Sequence, residues 1–95
     1  MAKKKRPKEI PEYFIVTDEL DLHGASPDLV PEMIEEFINN AILLGYKRVR
    51  IVHGKGRSRL KYLTLKILQI HPVVVSFSDA PPESGGWGAT IVHLR

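Results

Sequence analysis

The sequence predicts an α/β domain with the element order βαβαββ. Three observations carry this: short segments where apolar and polar residues alternate, two longer segments with apolar residues at helical spacing between them, and glycine or proline at the junctions. A fourth strand follows the third after a loop too short to hold a crossover helix, so the last strand is expected antiparallel to the third.

Each element has its own local reason. Residues 1 to 17 contain Pro7 and Pro11 and show no sustained period, so they read as tail and lead-in, with Tyr13, Phe14 and Ile15 free to pack on the domain edge. The folded domain is expected over residues 18–95. Glu19-Leu20-Asp21-Leu22-His23 alternates strictly, placing Leu20 and Leu22 toward a core and Asp21 and His23 away from it. Gly24 lets the chain turn. The next stripe is Val30, Met33, Ile34, Phe37, Ile38, Ala41 and Ile42, one face of a helix ended by Gly45. Its start has two readings: Ser26 as cap with Pro27 first, or Asp28 as cap with Pro31 among the donors that lack helical partners.

Arg48 to Val52 alternates again, with Val49 and Ile51 inward and Arg48 and Arg50 outward. After the loop His53-Gly54-Lys55-Gly56-Arg57, Ser58 is the expected cap of a second helix bearing Leu60, Leu63, Ile67 and Leu68. It should stop before His71-Pro72, because a residue preceding proline is pushed out of helical space. A third strand sets Val73, Val75 and Phe77 against Val74, Ser76 and Ser78, and a last strand runs from Gly88 to about Leu94. This order brings His23-Gly24, the 53–57 loop and the 82–87 loop to one rim, where ligands of open α/β sheets bind.

Composition excludes several classes. The 95 residues suffice for one domain, and 43% hydrophobic with 26% charged is ordinary globular usage. With no cysteine there is no thiol nucleophile, thiolate zinc site or iron–sulfur cluster. No apolar run approaches the ~20 residues that span a bilayer, and no apolar core follows the charged N-terminus, so a cytoplasmic protein without membrane contact is expected. The net charge is only +3, but it is sorted: residues 1–8 hold five cations and no acid, 9–46 nine acids and no Lys or Arg, and 47–66 eight cations and no acid. Such sorting allows a strong local field. The basic tail is either a solvated run or a phosphate-seeking arm.

Three constellations could carry chemistry. A glycine loop entering a helix, with Lys55, Arg57, Arg59 and Lys61 around it, suits the phosphates of a nucleic acid, although a merely tight basic turn would look alike. Neither G-x-x-x-x-G-K-[ST] nor a complete dinucleotide fingerprint is present. Asp21 and His23 lie two apart on a strand, with Cα atoms roughly 6.5 Å apart, so the carboxylate can orient the imidazole as a general acid or base. Alternatively, Asp21 caps or pairs elsewhere and His23 only closes the turn. His53 could join them as a third metal ligand, though no metal motif accompanies it. Gly85-Gly86-Trp87-Gly88 could present an indole for base stacking, or the ring could lie on the lip of the core. A helix-end dipole contact accounts for His71, and His93 is given no role.

Together, Leu20-Asp21-Leu22-His23-Gly24, His53-Gly54-Lys55-Gly56 and Gly85-Gly86-Trp87-Gly88-Ala89-Thr90 resemble the three signature segments of the Smr (small MutS-related) domain family. The resemblance covers roughly residues 18 to 95, in order and spacing. It implies a two-layer α/β sandwich similar to the C-terminal domain of bacterial translation initiation factor three, with a mixed four-stranded sheet whose last strand is antiparallel. It also implies binding and endonucleolytic cleavage of DNA in members attached to MutS-like proteins, or of RNA in others linked to stalled ribosomes. By matching position, Asp21 and His23 are the implied catalytic pair, His53, Gly54, Lys55 and Gly56 the phosphate-holding loop, and Gly85, Gly86 and Gly88 the opposing rim. Arg57, Arg59 and Trp87 complete the expected nucleic-acid surface. No resident metal is assigned, a divalent ion is an open option, and the partners implied are DNA or RNA, with the ribosome or MutS-like repair proteins beyond them. The rival expectation is a module that binds nucleic acid or ribosomal surfaces without cutting.

Overall fold

The computed structural model describes residues 18–55 and 59–95; the basic tail, the Tyr13-Phe14-Ile15 segment, Gly56, Arg57 and the expected cap Ser58 lie outside them. The described chain forms β1 (Glu19–Asp21), α1 (Val30–Leu43), β2 (Arg48–Val52), α2 (Arg59–Ile70), β3 (Val74–Asp79) and β4 (Ala89–Leu94). The sheet order is β1-β2-β4-β3. β1 runs parallel to β2, while β4 is antiparallel to both its neighbours. The last strand therefore inserts between β2 and β3 instead of adding to an edge.

Register explains the core. Leu20 lies beside Ile51, Ile51 beside Thr90, Val49 beside Val92 and Phe77 beside Val92, which sets one face of the sheet. On it Val30, Ile34, Phe37, Ile38 and Ala41 of α1 and Leu68 of α2 pack with Leu22, Val49, Ile51, Val92 and Leu94 as one cluster. Both helices thus cover the same face, and the domain has two layers. On the opposite face Val52, Ala80, Ala89 and Ile91 make a second, smaller cluster.

Two local details differ from the expectations. Ser26 and Pro27 open a 3-10 turn, Pro27–Leu29, and α1 begins only at Val30 with Leu29 at its cap position and Pro31 in its first turn, so neither Ser26 nor Asp28 caps the helix: the intervening 3-10 turn displaces its start. In β3 the simple alternation fails: the ladder shifts between Val74 and Ser76, both Val73 and Val74 pack against the core, and Val75 is left 63% exposed. One extra residue in a bulge does this, because it advances the chain without reversing the face. His71 also does more than meet a helix end: its Nδ1 accepts from Val73 N–H at 3.3 Å, and its Nε2 lies 3.0 Å from Glu35 Oε1, tying α1 to the end of α2.

Candidate nucleic-acid interface

The rim is fixed by the ladder itself. Asp21 pairs with Val52, Val52 with Ala89, and Asp79 with Thr90, so the ends of β1, β2 and β3 and the start of β4 share one border. Leu22 N–H continues the ladder to Val52 O at 2.7 Å, and its side chain is fully buried. That anchor holds the next residue, His23, in place at the surface.

Asp21 and His23 are both exposed, Asp21 at the end of β1 and His23 in the turn that follows, because the strand expected to reach His23 stops at Asp21. The Asp21 carboxylate accepts the backbone N–H of His23 at 2.9 Å. It therefore organises the turn through the main chain, the use that competes with direct orientation of the imidazole. The His23 ring lies over the second loop: a β-carbon at Gly54 would stand 3.9 Å from His23 Cδ2, and Gly54 has φ +89°, a left-handed conformation that side chains rarely adopt.

His53 occupies the layer beneath. It is 3% exposed, its Nε2 meets Thr90 Oγ1 at 2.8 Å, and its Nδ1 lies 3.5 Å from Gly54 O. Burial holds the imidazole below its usual range, opposed by the Gly54 carbonyl, with Lys61 lowering it further and Asp79 raising it. The ring is a neutral strut under the loop and presents no free edge to the rim. Its backbone serves the same end, because His53 N–H and Gly54 N–H both donate to Gly88 O, at 3.0 and 2.9 Å. Those two donors, expected to face phosphate, instead tie the second loop to the third.

Lys55 is the group this tie exposes. A β-carbon at Gly88 would lie 2.7 Å from Lys55 Cγ, and one at Gly86 3.9 Å from Lys55 Cε, so the lysine stem runs along a track kept open by two glycines. Among the described residues Lys55 and Arg59 have no acidic partner, whereas Lys61 pairs with Asp79 at 3.0 Å. Trp87, on the 3-10 turn Gly86–Gly88, is 50% exposed with Lys61 Nζ 6.0 Å from its ring centroid.

Arg50 and Asp79 join the site without having been singled out by sequence, and Thr90, the last residue of the third signature segment, joins it as the partner of His53. Arg50 donates to Ser84 O at 2.5 Å and to Glu19 Oε1 at 2.7 Å, pinning the third loop to β1 across the sheet. Gly85 there has φ +114°, and a β-carbon on it would stand 3.0 Å from Ala89 Cβ. Gly56 and Arg57 fall outside the described residues. His93 lies exposed on β4, directly paired with Arg48 and away from the rim. Among the described residues no three His, Cys, Asp or Glu side chains are grouped to hold a metal ion. None of the described helices is long and apolar enough to cross a membrane.

The molecule is thus a two-layer α/β domain whose glycine loops bring His23 and Lys55 to one rim. The chain belongs to the Smr domain family, whose model matches residues 20–95. It is 42% identical over 93 residues to "Endonuclease MutS2" of Helicobacter pylori, and 40% identical over 77 residues to "Endonuclease MutS2" of Carboxydothermus hydrogenoformans. These matches take in 97% and 81% of this chain but only 12% and 10% of the relatives, so the chain spans about a tenth of their length. Among solved structures, it superposes on the Smr domain of Thermus thermophilus MutS2 with TM-score 0.78 at 36% identity, covering 81% of this chain and 96% of that one. It also superposes on YdaL, a stand-alone small MutS-related protein from Escherichia coli, with TM-score 0.79 at 30% identity, over 82% and 64% of the two chains.

Proposed function

We propose that the chain is an endonuclease that cleaves phosphodiester bonds of DNA or RNA at this rim. The observation that carries the reading is the position of His23 against Gly54 and of Lys55 along Gly86 and Gly88 on one rim, which supports an imidazole and an unneutralised cation acting on the same phosphate. The relatives named as endonucleases share this domain and add to it.

In the proposed reaction His23 takes the proton of the attacking oxygen. With RNA, that oxygen is the neighbouring 2′-hydroxyl: its bond to phosphorus forms as the bond to the 5′-oxygen breaks, the leaving oxygen gains a proton, and a cyclic phosphate remains. With DNA, water attacks instead: its oxygen bonds to phosphorus as one bridging phosphorus–oxygen bond breaks, the departing sugar oxygen takes a proton from solvent, and a phosphate monoester end and a hydroxyl end result. Lys55 stabilises the negative charge that grows on the non-bridging oxygens. Asp21 is a positioning residue, because its carboxylate holds the main chain that carries His23. His53 supports the loop from below through Thr90.

His23→Ala tests this directly. Removing a general acid or base costs about 10²- to 10⁴-fold in rate, while binding should stay within a few fold. Cleavage at the parental rate by this variant would reject the role. A second reading, binding without cleavage, is favoured by the engagement of Asp21, His53 N–H and Gly54 N–H within the protein. It predicts salt-sensitive binding with no product from matched DNA and RNA substrates over long incubation.

A further inference from the structure

We propose that Trp87 is a stacking platform for an unpaired base, so that the strand crossing the rim is single-stranded at the nucleotide beside Lys55. This rests on the reading of the rim as a nucleic-acid surface and specifies its substrate class.

The indole is the only tryptophan in the chain, and it is left half in water where its burial would have been favourable. The turn that carries it is nevertheless rigidly held. Gly86 N–H donates to Pro81 O at 2.9 Å, Gly88 N–H to Gly85 O at 3.0 Å, and Gly88 O receives the two donors from the second loop. Arg50 fixes the preceding carbonyl of Ser84. A ring presented on so constrained a support loses little further entropy when something stacks on it.

Lys61, itself held by Asp79, stands over the ring, while half of the residue's surface stays in solvent. At 6.0 Å the cation adds little attraction, so the ring keeps its capacity to stack on a base. The flanking Gly86 and Gly88 carry no side chain to block a planar group. Because the stem of Lys55 follows those same two glycines, a cation for phosphate and a π-face for a base stand side by side, as one nucleotide requires. A base inside a duplex has both faces covered by its neighbours and cannot use such a platform without being extruded. A single strand offers its faces freely.

The sole tryptophan makes the test specific. The 95-residue chain is titrated at low salt with an oligothymidylate strand, a strand of equal length containing abasic sites, and a duplex, following both oligonucleotide anisotropy and Trp87 emission. The base-bearing strand should bind tightest and quench the emission, and the abasic strand should bind without quenching. Trp87→Leu should weaken binding of the base-bearing strand about 5- to 150-fold, toward the abasic value, and Trp87→Phe should keep part of it. Circular dichroism establishes that each variant is folded. Equal affinity and equal quenching by the abasic strand, tighter binding with quenching by the duplex, or parental affinity in folded Trp87→Leu would each overturn the platform while leaving nucleic-acid binding intact. Failure of every nucleic acid to bind the parental protein would overturn both readings, and would leave the exposed indole as a protein contact.

Discussion

Gly88→Ala separates the geometry of the rim from its stability. Gly88 does not have a left-handed φ, so alanine meets no backbone strain there, and the effect comes from the space its β-carbon enters. That carbon would stand 2.7 Å from Lys55 Cγ and 3.4 Å from both Gly54 C and Lys55 N. The first distance is about 1 Å inside ordinary carbon contact, and Cγ lies too near the lysine root to move without a change of rotamer. The ammonium must leave the track along Gly86 and Gly88. Overpacking costs about 1–3 kcal/mol, and loss of glycine's freedom in the unfolded chain returns about 0.4–1 kcal/mol. A net loss near ~1 kcal/mol lowers Tm by about 4–8 °C, so the protein stays folded at room temperature. Binding should show the specific defect: with one phosphate contact gone, the slope of log Kobs against log salt should flatten by about 0.7 for a single strand. The assay is anisotropy of a labelled oligonucleotide between low and moderate salt, for Gly88→Ala, Lys55→Ala and the double variant. If the glycine acts through the lysine, the double variant binds as Lys55→Ala does. Additive losses, or parental affinity and slope in Gly88→Ala, would refute the track.

Further outcomes test the support beneath the rim. The folded-state imidazole of His53 is held below its ordinary value near 6.5, so on acidification the unfolded chain binds that proton first. Stability should hold level in this term above about pH 6.5 and decline below it, and urea midpoints at pH 7.5 and 5.5 should differ more for the parental protein than for His53→Gln. Thr90→Val preserves shape but removes the hydroxyl facing His53 Nε2, and should cost about 1–3 kcal/mol in chemical denaturation, with Thr90→Ser retaining most of it. Arg50→Ala should leave global stability within about 1 kcal/mol, since its ion pair with Glu19 is largely exposed, yet should speed amide exchange at Gly86 and Gly88 as the third loop loosens.

Much of the architecture was legible because period and punctuation agreed along the chain. Val49 and Ile51, the α1 stripe from Val30 to Ala41 and the short last connection each predicted one face or one direction, and the structure places them so, whereas Ile42, counted in that stripe, lies exposed near the helix end. The position of β4 was not legible. Antiparallel pairing with β3 follows from a short loop, but insertion between β2 and β3 depends on both faces of β4 finding cover, Val92 and Leu94 under the helices and Ala89 and Ile91 with Ala80 and Val52 on the other side. The bulge at Val75 was equally hidden, since three successive valines show no phase until the partner strand supplies one. Arg50 escaped notice because its partners, Glu19 and the Ser84 carbonyl, are distant in sequence.

The two rim histidines show how far strand parity alone can carry an assignment. His53 shares the parity of Val49 and Ile51, so extending the inward side of β2 by one step places its ring under the sheet's edge, where Thr90, also on the inward side of β4, receives it. His23 has the parity of Glu19 and Asp21, which face away from the helices. Carrying the β1–β2 register two residues past Asp21 and Val52 sets His23 beside Gly54, and the missing side chain there is what lets the imidazole lie across the loop. Two histidines preceding glycines at the ends of adjacent parallel strands therefore meet opposite fates for one geometric reason. The odd step buries one as a support beneath the loop, and the even step leaves the other at the surface, across Gly54.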